Sequence, residues 1–419
     1  MTALRPSSPS VGERLALPRA DLLLDAERLS GLLGESVAVR RVRAKPGRSL
    51  LVSWDRTRPR GDDADHGWAM LLDDPDKVAG LLRRADRASG SVRDHGGGLF
   101  SGDLSTDPRL ATPVRHALGA RPVTSMGRVL RYNPGRRLIL AAEDAHGAVV
   151  LRIAARPLTG LVAISRRWAD AGVPTLPHRW WHRPSGAAGA RRATAAAADF
   201  WGEGDLAAVP STKIACAAGV ATARLHALPW QAAFTGPHAP GAACAVAAVP
   251  PHELPPALAP ASRCPAIPSG TGAITGLLPH LTGEVAALRV ALRDLPAAPV
   301  VPCHGDLSPD QVLSDGDDLR IIDLDRAGPG HPGLDAGTWL AWCRLHDAAD
   351  LAAAFLAGYR TVAPVPDLRP WIARALLACA IDPFRHAHAD WEAEVAFRVR
   401  AARQALTDPP HLTDPPQEM

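Results

Sequence analysis

The densest chemistry in the chain lies between Val300 and Gly337, in VVPCHGDLSPDQVLSDGDDLRIIDLDRAGPGHPGLDAG. His304-Gly305-Asp306 opens this block. Gln311 follows on the same loop, and a short apolar run, Ile321-Ile322, ends in Asp323, with Asp325 two residues further on. An acid, an amide oxygen and a second acid, carried on a loop and on the hairpin after it, suit phosphoryl transfer. One carboxylate accepts the proton of an attacking hydroxyl, while an amide oxygen and another carboxylate hold Mg²⁺ on the phosphates. Other chemistries have weaker support. The chain has no GxSxG elbow and no HExxH pair. The pair His386 and His388 makes a poor metal site by itself and reads better as surface or substrate pocket.

The elements that must position this block can be read from pattern. Residues 20–33 read as one helix. SVAVRRVRAKPGRSLLVSWD alternates apolar and polar residues around Pro46-Gly47 and predicts a hairpin, followed by a polar loop and the short run GWAMLLDD. A second hairpin, GRVLRYNPGRRLILAAEDAHGAVVLRIAARP, repeats the first at an offset of 88 residues, with Arg43, Pro46, Gly47, Arg48 and Leu50 matching Arg131, Pro134, Gly135, Arg136 and Leu138. Two related small sheets in succession are expected, or else a chance likeness of two Arg-rich hairpins. Leu161, Ile164 and Trp168 recur at helical spacing and Gly172 marks a stop. PSGAAGARRATAAAA, residues 184–198, reads as a flexible loop, and KIACAAGVATARLHALPW as a helix. The Pro- and Ala-rich stretch 235–272 reads as an irregular insertion, and the pattern is helical from Ala273 to about Leu406 outside the motif block. The tail TDPPHLTDPPQEM reads as disordered.

Composition bounds the classes. With 419 residues, 47% hydrophobic and 21% charged, two or three globular domains are expected and disorder throughout is excluded. A net charge of +4 argues against a protein built around duplex DNA, so no nucleic-acid partner is expected. Lys45, Lys77 and Lys213 are the only lysines; nearly all the basic charge is arginine. Six cysteines without CxxC spacing read as small buried apolar residues. The N-terminal MTALRPSSPSVGERL lacks the apolar core of a signal peptide, and no long apolar run predicts a membrane span. A cytoplasmic protein with no membrane partner is the expectation.

The block from Val300 to Gly337 resembles the catalytic motif of the aminoglycoside phosphotransferase and choline kinase-like family, HGDxxxxN followed by IID. GAVVLRIA, AGVPTLP, ATARLHALP, HPGLDAG and AAAFLAGYR fall where that family has comparable elements, so the resemblance runs from about Gly127 to Arg403. It implies an α+β, bilobal protein-kinase-like fold: a small antiparallel-sheet lobe and a mainly helical lobe. On that basis residues 1–120 form a cap that partly repeats the small lobe, 121–208 the nucleotide-binding lobe, 209–406 the helical catalytic lobe and 407–419 a flexible tail. The implied activity is transfer of the γ-phosphate of ATP or GTP, with Mg²⁺, to a hydroxyl of a small molecule such as a sugar or aminoglycoside-like compound. Asp306 would be the catalytic base, Asp323 the main Mg²⁺ ligand and Gln311 the second; Asp325 would add a metal contact or remain a solvated acid. His304 would brace the loop and Asp335 would pin it.

Two departures qualify the resemblance. Gln311 stands where the family usually has Asn, a variant also seen in maltokinase-like and glucosamine kinase-like members, although Asp310 replaces the Gly of their pattern. The small-lobe Lys is missing: the matching strand position is Arg152, and no Glu lies between Leu161 and Ala171 to pair with it. Arg152 would bind nucleotide phosphate or be a half-buried strand arginine. Gly135 and Arg136, in the turn Asn133-Pro134-Gly135-Arg136-Arg137, would touch phosphate or form an ordinary hairpin turn. The missing Lys and Glu also admit a degenerate kinase acting as a protein partner in a biosynthetic complex. A kinase for a peptide Ser or Thr is a further alternative.

Overall fold

A computed structural model of the chain describes residues 9–61, 65–85, 92–119, 121–229, 233–234, 270–293, 295 and 299–407. Most of the Pro- and Ala-rich insertion and almost all of the tail therefore lie outside the described residues.

The chain opens with three short helices, α1 (Val11–Arg14), α2 (Asp21–Leu24) and α3 (Ala26–Leu33). The single helix expected over 20–33 is broken at Asp25. Its backbone is extended (φ −89°, ψ 120°), and its carboxylate caps α3 by accepting the Glu27 and Arg28 amides. There follow β1 (Val37–Lys45), β2 (Ser49–Arg56), β3 (His66–Leu72), α4 (Pro75–Ala85), β4 (Arg93–Asp94), β5 (Leu99–Asp103) and α5 (Ala111–Leu118). The strands form an antiparallel sheet in the order β1-β2-β3-β5-β4.

The next unit repeats that plan. β6 (Gly127–Asn133), β7 (Arg137–Asp144), β8 (Gly147–Ala154), α6 (Thr159–Asp170), β9 (Arg179–Trp180), α7 (Gly186–Ala190) and β10 (Ala195–Asp199) give a sheet ordered β6-β7-β8-β10-β9. In both sheets the third strand is followed by a helix before the last two strands pair in reverse order. Each first strand also bulges, at Arg40 in β1 and at Leu130 in β6. The internal repeat is thus a repeat of topology as well as of sequence. Residues 184–198 correct the expectation of a flexible loop: Ala196, Ala197 and Ala198 are buried in β10, paired with Arg152, Leu151 and Val150. Alanine has little strand preference, so the pairing with β8 decides this segment.

The helical lobe follows: β11 (Gly204–Asp205), α8 (Thr212–Ala227), α9 (Thr271–Leu277), α10 (Thr282–Ala291), β12 (Val301–Cys303), β13 (Val312–Asp315), β14 (Asp318–Ile321), β15 (Gly328–Gly330), α11 (Gly333–Leu345), α12 (Ala349–Arg360), α13 (Arg369–Cys379), α14 (Asp382–Arg385) and α15 (Trp391–Thr407). The expected α+β, two-lobed architecture is present. The N-terminal unit is packed firmly on the rest. One apolar core runs from Leu15, Leu29 and Val52 through Leu277 and Val285 to Leu376 and Val399, and burial of that extent is the main term holding such units together. A second core joins α6 to α8, α11 and α12 beneath the β13-β14 hairpin. Cys216, Cys303, Cys343 and Cys379 are free thiols, buried or half-buried. Among the described residues no helix is long and apolar enough to cross a membrane.

Candidate active site

The loop after β12 is built around Asp335. This fully buried carboxylate accepts the His304 amide on one oxygen (2.8 Å) and the Gly305 amide on the other (2.7 Å), and lies 3.1 Å from His226 Nε2. His226 Nδ1 in turn meets the Tyr359 hydroxyl at 2.8 Å. Burial pushes the Asp335 carboxyl up, but His226, then His304 and the Gly305 amide, outweigh it, and the group stays below the ordinary carboxylate value. The His304 ring, also buried, reaches the Ile322 carbonyl at 2.8 Å, next to Asp323. One loop is thereby clamped to the other. Gly305 is required here: its φ is +83°, and a Cβ would stand 2.3 Å from the Arg326 carbonyl.

These clamps hold Asp306 half-buried at the mouth of the loop, where Arg326 Nη1 donates to its Oδ1 at 2.8 Å. Burial raises the Asp306 carboxyl above its ordinary value despite the opposing pull of Arg326 and His304. Gln311 closes a short 3₁₀ turn, and its carbonyl accepts the Ile322 amide at 2.9 Å, so the β13-β14 hairpin sets Gln311 beside the approach to Asp323. Its side-chain Nε2 donates to Asp310 Oδ2 at 3.2 Å.

Asp323 sits in the left-handed region (φ 57°, ψ 53°), a strain of roughly 1 kcal/mol or more that a non-glycine residue carries only where its surroundings enforce it. Asp325 lies in a 3₁₀ turn, Leu324–Arg326, and Asp323 and Asp325 face the same two guanidiniums. Arg137 Nη1 lies 3.2 Å from Asp323 Oδ1 and 2.5 Å from Asp325 Oδ2. Arg152 Nη1 lies 3.4 Å from Asp323 Oδ1, and its Nη2 donates to Asp325 Oδ2. Burial pushes the Asp323 carboxyl up, but Arg137 and then Arg152 outweigh it and hold the group below its ordinary value.

The sheet register explains why two arginines meet two acids. Arg131 pairs with Ile139, and Ile139 with Arg152; Asn133 pairs with Arg137. Directly paired residues share a face and alternate residues along a strand do too, so Arg131, Arg137 and Arg152 all project from the same face of β6, β7 and β8. The corresponding row in the first sheet is Arg43, Leu51 and Met70. Methionine stands where the second sheet has Arg152, and Ser49, at the offset of the repeat, where it has Arg137.

The sequence reading needs correction at the turn. The Gly135 amide, expected near phosphate, donates to Asp107 Oδ2 at 2.7 Å. Asp107 is fully buried and also accepts the Tyr132 hydroxyl (2.8 Å) and the Arg109 and Leu110 amides (2.9 Å each). Arg136 is exposed, and it is its neighbour Arg137 that reaches the acids. Arg137, Arg326 and Asp107 were missed by motif reading. The alternation of β7 with β8 would have found Arg137; nothing in local sequence points to the other two. His178, after α6, was missed as well. Burial, and then the nearby Arg152, push its ring down to about 4, so it is neutral beside the cluster.

The donors fit a hard divalent cation in kind: Asp323, Asp325 and Gln311 offer only oxygens, and Asp323 is held ionised. Both carboxylates are, however, engaged by arginine. Among the described residues the close grouping of metal-type donors is elsewhere, at His226, Cys303 and Asp335, where Asp335 is already committed to backbone amides.

Three solved structures are similar to this chain over most of their own length. The choline/ethanolamine kinase family protein from Mesorhizobium loti is 16% identical, with 72% of this chain and 98% of that chain covered and a TM-score of 0.42. A thermostable mutant of aminoglycoside phosphotransferase APH(4)-Ia, solved with AMP-PNP and hygromycin B, is 17% identical over 72% of this chain and 98% of that one, with a TM-score of 0.46. Amicoumacin kinase hAmiN, solved with AMP-PNP, Ca²⁺ and Ami, is 14% identical over 66% and 88%, with a TM-score of 0.44. No curated protein matches the sequence. The profile of one family spans residues 139–373, from β7 to α13, which is more than half of the chain and includes the clamped loop, Gln311 and both acids that Arg137 and Arg152 hold. On that match the chain belongs to the phosphotransferase enzyme family.

Proposed function

We propose that this protein transfers the γ-phosphate of ATP or GTP to a hydroxyl of a small molecule, with Asp306 as the base. The observation that carries the reading is the double clamp of Asp335 and His304. It sets Asp306 on one loop and Asp323 on the next, with two arginines from the facing sheet closing over Asp323 and Asp325.

In this reading Asp306 orients the acceptor hydroxyl and takes up its proton as the oxygen attacks. Its raised carboxyl makes it a better proton acceptor than an ordinary aspartate. Gln311 Oε1, Asp323 and Asp325 are the oxygens that would hold Mg²⁺, which when bound neutralises charge on the phosphates. Arg137 and Arg152 then exchange their carboxylate partners for phosphate oxygens, for which the guanidinium fork is equally suited. Gly135 has no part in this, since its amide is used by Asp107.

A second reading has an observation behind it. Arg137 and Arg152 already neutralise both acids, and α6 offers no Glu to draw Arg152 away. A chain locked in that arrangement would bind a partner without catalysing. Calorimetry of ATP and GTP binding, with and without Mg²⁺ and with Asp323→Ala as control, separates the two. Mg²⁺-dependent binding lost in the variant supports the phosphotransferase. Absence of binding to either nucleotide overturns it in favour of the locked form.

A further inference from the structure

Asp335 has a third donor, and the support of that donor comes from α12. α8 and α12 cross at two glycines, each set against the backbone of the other helix. A Cβ on Gly219 would stand 2.0 Å from the Phe355 carbonyl oxygen, and one on Gly358 would stand 1.9 Å from that of Cys216. Neither position admits a larger residue, so the two helices approach more closely than ordinary side chains would let them. His226 lies seven residues after Gly219, about two turns along the same face. Tyr359 follows Gly358 directly on α12. The crossing brings the Tyr359 hydroxyl to 2.8 Å from His226 Nδ1, while Nε2 of the same ring lies 3.1 Å from Asp335 Oδ2.

Hydrogen bonds then run unbroken from α12 to the loop that carries the base. Asp335 Oδ2 accepts the His304 amide as well as the His226 ring, and Oδ1 accepts the amide of Gly305, the residue before Asp306. An ionised carboxylate only accepts, so His226 Nε2 carries the hydrogen and Nδ1 is left for Tyr359. Burial, and then Asp335 and Cys303, push the Tyr359 hydroxyl up, so it keeps its proton. Tyr359, His226 and Asp335 are 1%, 7% and 0% exposed, which leaves bulk water little chance to replace a missing partner. The Tyr359 ring belongs to the second apolar core, beside Phe355 and Leu356. A phenylalanine would fill the same space with no hydroxyl to satisfy. Among the described residues the hydroxyl's hydrogen bond is to His226, the ring that steadies Asp335.

We infer that Tyr359 is a positioning residue for the Asp306 loop: through the His226 ring it fixes the Asp335 carboxylate in the rotation that holds the His304 and Gly305 amides. Its catalytic consequence rests on the phosphotransferase reading, to which it adds a residue acting through two others. Without the hydroxyl, Nδ1 is a buried acceptor that lacks a donor. A ring that turns to find one withdraws Nε2–H from Asp335. A carboxylate held by three donors from two directions has one stable rotation. Held by the two loop amides alone it can swing with them, and the loop before Asp306 loosens. The same network accounts for the grouping of His226, Cys303 and Asp335. Their donor atoms are spent on one another and on backbone, with Cys303 donating to the His331 carbonyl, so the group serves as a brace and leaves no ligand set free for a metal.

The test uses the full chain and Tyr359→Phe, which keeps the ring and removes the hydroxyl. With no ligand added, long-range proton–nitrogen spectra of the labelled histidines read which His226 nitrogen carries the hydrogen. Amide exchange reads the His304 and Gly305 bonds. The wild type should hold the hydrogen on Nε2. In the variant that signal should shift or broaden, and the His304 and Gly305 amides should exchange about tenfold faster, a difference of about 1.4 kcal/mol. Val52, buried at the centre of the first sheet, should exchange as before. With Mg²⁺ and ATP, and water as the acceptor, kcat should fall about tenfold with KM unchanged, the mark of a group that acts on the reacting geometry and not on binding. The inference is overturned if His304 and Gly305 keep their protection in the variant. It is equally overturned if Val52 is accelerated to the same degree while kcat stays at the wild-type value, for then the hydroxyl only stabilises the fold. Should the variant not fold, the wild-type spectrum still decides, since a hydrogen on Nδ1 and none on Nε2 refutes the network. Absence of turnover in the wild type would count against the phosphotransferase reading alone, because the spectra and exchange rates need no nucleotide.

Discussion

Arg152, on the third strand of the second sheet, donates through Nη2 to Asp325 Oδ2 in the helical lobe while its Nη1 lies 3.4 Å from Asp323 Oδ1. Arg152, expected to bind nucleotide phosphate or to be a half-buried strand arginine, is thus an interlobe tie. Its side chain is almost fully buried, and Arg137 makes the same pair of contacts from the neighbouring strand. Unit charges about 4 Å apart, at an effective dielectric of about 20, attract by about 4 kcal/mol before desolvation is subtracted.

A cation entering between these acids must displace guanidiniums that are already well placed. Mg²⁺ alone is therefore expected to bind weakly, and nucleotide alone weakly as well. Together they satisfy both sets of groups at once, with phosphate taking the arginines and the acids taking the metal. Calorimetry should show each ligand tightening the other by at least about tenfold, in the usual range of such coupling. Arg152→Met should tighten Mg²⁺ binding in the absence of nucleotide and weaken nucleotide binding in its presence. Equal weakening of both would refute the exchange.

Asp306→Ala should lower kcat by about 10²–10⁴-fold, the usual contribution of a positioned base, with nucleotide affinity little changed. The pH dependence has a definite sign. The base acts as the carboxylate and its carboxyl is raised by burial, so activity should fall as pH drops through a value above that of an ordinary aspartate. Arg326→Ala removes the cation that opposes this rise and should move the acid limb to higher pH still. An unmoved profile would argue that Asp306 is not the titrating group.

Asp335→Ala should destabilise the fold by about 3 kcal/mol, because the His304 and Gly305 amides are then buried without an acceptor. Its carboxyl is depressed in the folded state. Its contribution is therefore present above the unfolded value and lost as pH falls through the folded value. Denaturant titrations of wild type and Asp335→Asn across the acid range should show the wild type losing stability faster. Parallel curves would contradict the linkage.

Asp107→Ala removes the acceptor of four donors in one step: Tyr132, Gly135, Arg109 and Leu110. A loss of at least about 4 kcal/mol is expected, at about one kcal/mol or more for each of the four donors left unpaired. The freed 133–136 turn should also show faster amide exchange at Gly135. Unchanged protection there would mean that the turn is held by the hairpin alone.

Much of this was legible residue by residue. The hairpins declared themselves by alternation and Pro-Gly turns, and the offset of 88 residues anticipated two sheets that the structure shows to share one strand order. His304, Asp306, Gln311 and Asp323 lie within a single short block whose spacing is itself the signal. The poly-alanine strand over 195–199 was misread because alanine carries no strand signature and its pairing with β8 is a long-range fact. Gly135 was misassigned for a related reason. Its turn looks competent to bind phosphate until Asp107, 28 residues away, is seen to have taken the amide.

The sequence by itself determined which groups this protein can use, because local periodicity and close spacing constrain what lies within one loop or one hairpin. It named the acids, the amide and Arg152. Only the tertiary structure decided what those groups meet. Arg137 and Arg152 reach Asp323 and Asp325 across 171 to 188 residues of chain, and a shared apolar core seats the N-terminal unit on the helical lobe. Side-chain charge is a property of one residue. Its neutralisation, or its lack of a partner, is a property of packing, and no local pattern encodes it.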